Sequence, residues 1–307
     1  MNDETDPRQA DLADSLVQLA ARHDLALQPD SLRVNEAGLD YQVALAQDAA
    51  GDGWVLRVPR RDDVSAKIHD ERRILEFLAP RLSVEIPDWR VAAADLVAYP
   101  LLPGEPGLTI DDDGSPVMHF DPGAPEYLRS FGRLLAELHA VDADEARIAG
   151  LVIETPDDVR TAWRARLDAA VAEFDVPAPA REQWSRWIGD DSMWADAMRF
   201  CHGELYPAHL LLADDGRVLS VLDWTTAKVT DPIADFALQQ AMSPPEDFEI
   251  VLDAYRGAGG VVPDRLAERG AALIGASALG YAEFALLTGE DEHRAATQAL
   301  LDAAAGG

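Results

Sequence analysis

Apolar residues recur along this chain with two different periods, and the changes of period divide it into elements. Leu12, Leu16, Leu19 and Ala20 stand at helical spacing, which predicts an opening amphipathic helix that ends near His23. Residues 32–45 follow as two strand-like segments joined around Gly38, and residues 54–59 alternate, putting Val55 and Arg57 on one face. The helical period returns with Val64, Ile68, Leu75 and Leu78, and Pro80 stops it. The one position missing from this stripe is filled by Glu71. Strand-like runs at 89–93 and 96–102 complete a five-stranded sheet, and the breaker-rich Pro103-Gly104-Glu105-Pro106-Gly107 reads as a hinge.

Helical patterns dominate the rest. Pro125 suits a first helical position, and Leu128, Phe131, Leu135 and Leu138 mark a core helix that ends near His139. Two more helical patterns, around 163–174 and 179–188, are separated by Val176-Pro177. Apolar runs at 210–212 and 218–222 flank the turn Asp214-Asp215-Gly216, which predicts a small hairpin. Asp231-Pro232 opens a capped helix, with Asp231 as the N-cap, and residues 246–304 are nearly all helical. The pattern predicts an α+β chain of two lobes: residues 1–103 with the sheet and the glutamate-bearing helix, and a larger helical lobe over 104–307.

Composition narrows the partners. The chain has 26 basic and 56 acidic residues, a formal charge of −30, which repels phosphate backbones and anionic membranes and argues against nucleic acid or membrane as partner. Acidity suits a cationic amino sugar, and equally a plain solvated surface. A single cysteine, Cys201, excludes an intrachain disulfide framework and suits a reducing cytoplasm; a small buried thiol is the expected reading. The acidic N-terminus lacks the apolar run of a signal peptide. Residues 271–287 are the most apolar stretch, but with Glu283 and several small residues they read as a packed helix. The turn Asp111-Asp112-Asp113-Gly114 lacks the bidentate glutamate of a calcium loop and reads as solvated.

Candidate chemistry concentrates between Phe200 and Trp224. Polar groups sit just before the first strand of the hairpin and at the end of its second, which is a way to bring His202, Glu204, His209 and Asp223 together. Phosphoryl transfer needs such a set: a carboxylate to orient the attacking hydroxyl, and further groups to hold Mg²⁺ against nucleotide phosphates. Glu71 on its buried stripe is costly by several kcal/mol unless a cation meets it, and Arg57 is the natural partner. The competing pair, Lys67 with Glu71 at i, i+4, is worth only about 0.3–0.5 kcal/mol. Trp163, Trp184, Trp187 and Trp194 either line a wide pocket or pack in a core. The small residues of 274–281 either leave room for a bulky ligand or allow tight helix packing. His139 reads as a packed structural residue.

Phe200-Cys201-His202-Gly203-Glu204-Leu205-Tyr206-Pro207-Ala208-His209 and Leu222-Asp223-Trp224 resemble the catalytic and metal motifs of antibiotic kinases of the aminoglycoside phosphotransferase type, which have a protein-kinase-like fold. His209, where most of that family has Asn, and the run from Trp224 to Pro232 resemble the macrolide 2′-phosphotransferases in particular, as does the run from Pro59 to Val64. The family has Asp where this chain has Glu204. The resemblance implies catalytic Glu204 and His202, metal ligands His209 and Asp223, and a brace for the loop in Asp235. It implies nucleotide contacts at Gly38, Arg57, Glu71, Tyr99, Leu101 and Leu102, with Arg57 in the place of the usual Lys. It further implies a macrolide acceptor beside Tyr206, Ala276, Leu279 and Tyr281, GTP with ATP as the alternative, Mg²⁺, and a monomeric cytoplasmic enzyme. An aminoglycoside or small-alcohol kinase, or a kinase-like protein that binds without transfer, are the competing readings.

Overall fold

Five strands, β1 (Arg33–Asn35), β2 (Tyr41–Gln47), β3 (Gly53–Pro59), β4 (Val91–Ala93) and β5 (Leu96–Pro100), pair antiparallel in the order β1-β2-β3-β5-β4. The structure is a computed structural model and describes residues 7–35, 40–111 and 114–304. Gly38, the acidic pair Asp112 and Asp113, and the first six residues lie outside the described residues. One face of the sheet carries Ala44, Ala46, Leu56, Leu96 and Ala98, covered by Leu16, Leu19 and Ala20 of α1 (Pro7–Arg22). The other face presents Tyr41, Arg57 and Tyr99, because register partners such as Val55 and Tyr99 share a side. Helix α2 (Asp62–Leu78) packs there, its buried stripe being the predicted one with Ile74 and Phe77 added.

The chain divides into two units: Met1–Phe120 with Pro207–Thr225, and Asp121–Tyr206 with Thr226–Gly307. After β5 the first unit continues through β6 (Glu105–Pro106) and the hairpin of β7 (Leu108–Ile110) and β8 (Pro116–Met118). The stretch expected to carry the chemistry and the residues that flank it supply four short strands, β9 (Arg199–Cys201), β10 (Leu210–Leu212), β11 (Val218–Val221) and β12 (Lys228–Thr230). Strands β9 and β12 pair with each other in the second unit. In the first unit, β10 and β11 form the predicted hairpin, with a bulge between Leu211 and Leu212, and β6 adds to it as a third strand. The segment expected as a hinge is therefore tied down within the first unit. Ser220 donates its hydroxyl to the Pro103 carbonyl at 2.8 Å, and Gly104, at φ +102°, lies so close to Leu211 that an added Cβ would sit 2.9 Å from its backbone. Breaker residues report local backbone freedom, whereas pairing with a strand about a hundred residues away leaves no local signal.

In the second unit α3 (Pro125–His139) packs along α8 (Pro245–Gly257), and Gly132 lets the two backbones approach. Between them in sequence come α4 (Ala143–Ile148), α5 (Pro156–Glu173), opened by a Thr155/Asp158 capping box, α6 (Ala178–Gly189) and α7 (Ile233–Met242). Helices α9 (Leu266–Gly275), α10 (Ser277–Thr288) and α11 (Asp291–Ala303) complete the unit. By length and hydropathy alone Leu266–Thr288 could cross a membrane, but its backbone breaks at Ala276 and α10 packs on α5 and α11. Ala276 and Leu279 are wholly buried there with Leu167, Trp184, Ile188 and Leu301. The small side chains bring helices together, and neither Ala276 nor Leu279 offers surface to a ligand, contrary to the expectation of a substrate wall. The tryptophans also pack: Trp187 lies 5.2 Å from Trp163 and 5.1 Å from Trp194, and Trp184 donates to the Gly275 carbonyl.

Candidate active site

In the first unit the alternation of β3 points Arg57 toward α2, and the helical period points Glu71 back. Arg57 Nη1 meets Glu71 Oε1 at 3.1 Å, with both side chains buried, while Lys67 is exposed. Burial lifts the Glu71 pKa, and the guanidinium pulls against that shift. Burial is the largest single influence on Arg57 and works against its charge, but Glu71, Tyr99, Asp223 and Tyr41 together outweigh it and hold the guanidinium protonated. The guanidinium lies 4.0 Å above the ring of Tyr41, and its Nη2 is 3.9 Å from Asp223 Oδ2. The Trp224 N–H reaches Glu71 Oε1 at 3.4 Å, whereas Glu71 Oε2 is buried without a partner among the described residues.

The hairpin joins the other two members of this cluster. Leu222 N–H donates to the His209 carbonyl at 2.8 Å, and His209 Nε2 stands 3.9 Å from Asp223 Oδ2. Asp223 has a left-handed backbone, φ +58°, and its Oδ1 accepts the Thr225 hydroxyl at 2.6 Å. Asp223 offers the oxygen donor that a hard divalent cation takes; the His209 imidazole is a softer donor, better suited to a phosphate oxygen or a bound water. Tyr99 is buried on the same sheet face, its phenol pushed up to about 12 by burial. Leu101 is exposed and its N–H is taken by the Gly53 carbonyl at 2.8 Å; the N–H of half-buried Leu102 donates to none of the described residues.

In the second unit the loop leaving β9 is fixed from below. Asp235, wholly buried in the first turn of α7, accepts the N–H of His202 at 3.0 Å on Oδ2 and that of Gly203 at 2.7 Å on Oδ1. His139 faces Asp235 at 3.4 Å and the Tyr255 hydroxyl at 2.9 Å, so it is the packed residue that the pattern predicts. Gly203 turns at φ +89°, and the Thr226 hydroxyl donates to the His202 carbonyl at 2.8 Å. His202 is wholly buried, and its Nδ1 accepts the N–H of Glu204 at 3.3 Å. It acts as a strut inside the loop. Glu204 is exposed and Tyr206 half-buried, while on α10 Tyr281 is exposed. Cys201 is buried at the end of β9, and burial holds its thiol protonated, well above the usual range.

Sequence reasoning missed Tyr41 and Arg269. The phase of β2 could have found Tyr41, since it points to the same side as Arg57. Nothing local marks Arg269, which forms a buried ion pair with Asp231, a residue predicted only as a helix cap. Asp231 does cap α7, accepting the Ile233 N–H at 3.0 Å.

Residues 31–271 match the profile of the phosphotransferase enzyme family. The crystal structure of the macrolide 2′-phosphotransferase MphH from Brachybacterium faecium, as apoenzyme, is 46% identical, with a TM-score of 0.86 over 94% of this chain and 97% of that one. A macrolide 2′-phosphotransferase of type I is 40% identical, with a TM-score of 0.87 over 94% and 96%. An uncharacterized protein of Bacillus subtilis (strain 168), YcbJ, is 34% identical over 94% of this chain and 95% of its own. The antiparallel-sheet unit and the helical unit are thus those of the expected protein-kinase-like α+β fold.

Proposed function

Because the chain belongs to the phosphotransferase enzyme family, we propose that it transfers the γ-phosphoryl group of a nucleoside triphosphate to the 2′-hydroxyl of the amino sugar of a macrolide. GTP is the preferred donor in this reading and ATP the alternative. That the chain is a phosphotransferase acting on a hydroxyl, of the antibiotic-kinase kind, follows from the family and from the two macrolide 2′-phosphotransferase structures it is similar to. The macrolide acceptor is supported by 46% and 40% identity to macrolide 2′-phosphotransferases along 94% of this chain. The reading includes a monomer, and a cytoplasmic setting that the lone, buried thiol of Cys201 suits.

The observation that carries the mechanism is the loop after β9, which holds the exposed carboxylate of Glu204 on a backbone anchored through the two preceding amides. Phosphoryl transfer has a loose transition state, so orientation and charge matter more than base strength. Glu204 accepts the hydrogen bond of the acceptor hydroxyl and takes its proton as the new P–O bond forms; the bond from γ-phosphorus to the bridging oxygen breaks, releasing the nucleoside diphosphate. His202 positions Glu204 through the bond to its N–H. Arg57, fixed by Glu71, orients the phosphates, and Leu102 offers its N–H to the purine. Asp223, with His209 acting through water or phosphate, would hold Mg²⁺, which when bound neutralises charge on the phosphates. Tyr206 and Tyr281 remain the candidates for contact with the drug.

Expression in a susceptible bacterium tests the reading: macrolides lose potency, and in vitro the drug gains one phosphate in the presence of GTP and Mg²⁺. Protection against aminoglycosides but not macrolides reverses the choice of acceptor. Binding of nucleotide and drug without transfer leaves a kinase-like binding protein.

A further inference from the structure

Tyr41 lies at the start of β2, opposite Pro59 in register, and only 3% of its surface is exposed. Its ring lies against the Arg57 guanidinium at 4.0 Å, which accounts for the apolar body of the side chain but not for its polar end. The hydroxyl is buried and has no hydrogen-bond partner among the described residues, and in the same cluster Glu71 Oε2 is buried and has none among them either. Buried polar atoms are nearly always paired, so two orphans in one cluster call for a cause. They are also of opposite kinds, one a donor and the other an acceptor. Burial keeps the phenol neutral, so it stays a donor throughout the physiological range.

We infer that the Tyr41 hydroxyl is a nucleotide-binding group: it donates a hydrogen bond to a phosphate oxygen of the metal-bound triphosphate, while Glu71 Oε2 accepts from water on the same ligand. This rests on the proposed function, which supplies the ligand class. A hydrated metal–phosphate group presents an acceptor and donors together, the complement of the two orphans. Arg57 cannot serve alone, since its charge is already met by Glu71 at 3.1 Å and approached by Asp223 at 3.9 Å. The phenol adds a donor without adding charge, and stacking against Arg57 keeps it in place.

Tyr41→Phe removes only the oxygen. Binding is read by calorimetry with a non-hydrolysable GTP analogue and Mg²⁺, so that no transfer is needed. The expected result is affinity about tenfold lower, from loss of one hydrogen bond to a charged group, with the KM for the acceptor unchanged. The thermal midpoint of the unliganded variant is expected to equal or exceed that of the wild type, because an unpaired buried hydroxyl has gone. Affinity within twofold of wild type overturns the inference; if the unliganded midpoint also falls, the hydroxyl belongs to a trapped water that bridges it to Glu71. Absence of nucleotide binding in the wild type itself takes down the proposed function, and this inference with it.

Discussion

Two buried arginine–carboxylate pairs hold the two units, and they are built differently. In the second unit Arg269 Nη2 meets both oxygens of Asp231, and its other nitrogens donate to the carbonyls of Met193 and Asp264. Asp231 accepts in addition the N–H groups of Ala195 and Ile233. Every charged atom has a partner, so this pair leaves nothing for a ligand. In the first unit Arg57 and Glu71 share one bond, and among the described residues neither Glu71 Oε2 nor the hydroxyl of Tyr41, whose ring lies beneath the guanidinium, has a partner. A saturated pair fixes a structure, whereas an unsaturated one is completed by what binds.

The largest effect is expected where saturation is broken. Arg269→Met leaves the Asp231 charge buried without its cation, which costs about 3–5 kcal/mol and is read as a fall in the urea midpoint. Arg57→Met is expected to lose clearly less stability, because burial already raises the Glu71 pKa and the carboxyl can take up a proton when the cation goes. Its loss should appear in transfer instead. Equal destabilisation by the two variants would erase the distinction between the pairs.

Glu204 sharpens the same contrast, since it is an exposed group on a saturated frame. Glu204→Ala is expected to lower kcat about 10²- to 10⁴-fold while the unfolding free energy from urea titration stays within about 0.5 kcal/mol of wild type. Glu204→Asp draws the carboxylate back by about 1 Å and should keep transfer within roughly a hundredfold. A variant without any carboxylate that still turns over at the wild-type rate would remove Glu204 from the mechanism.

The smallest effect is a pH dependence. Because burial raises the folded-state pKa of Glu71, its contribution to stability is fully present below the ordinary value of 4.5 and is lost as pH rises through the raised one. Wild-type stability should therefore decline over that window, and Glu71→Gln should flatten the decline. A steeper slope in the variant would mean that Arg57, and not burial, governs the carboxyl.

Much of the first unit was legible because its signals are local. Alternation marked the sheet strands, and one polar residue in an apolar stripe at steps of four and three was enough to pair Glu71 with Arg57. The hairpin that brings His209 to Asp223 was written in two apolar runs about a turn. The second unit was less legible at the places that matter. The same small residues at 274–281 are compatible with a pocket wall or with close helix packing, and only the fold resolved them into a broken helix with Ala276 and Leu279 inside the core. The tryptophans were ambiguous for the same reason, since bulk and apolarity suit either side of a surface.

Period along the chain by itself determined the strands of the sheet and the buried stripe of α2, because burial repeats at intervals of two or of three to four residues and needs no knowledge of the partner. The sequence also marked the segment from Phe200 to Trp224 as the place of the candidate chemistry. Apart from Arg57 and Glu71, which buried polar groups find partners was decided by tertiary structure. Arg269 meets Asp231 from 38 residues away, β6 meets β10 from about a hundred, and Tyr41 is left with an oxygen that no described residue pairs. Such outcomes depend on how packed elements converge in space, and hydrogen bonds act over about 3 Å, a range that sequence separation does not report.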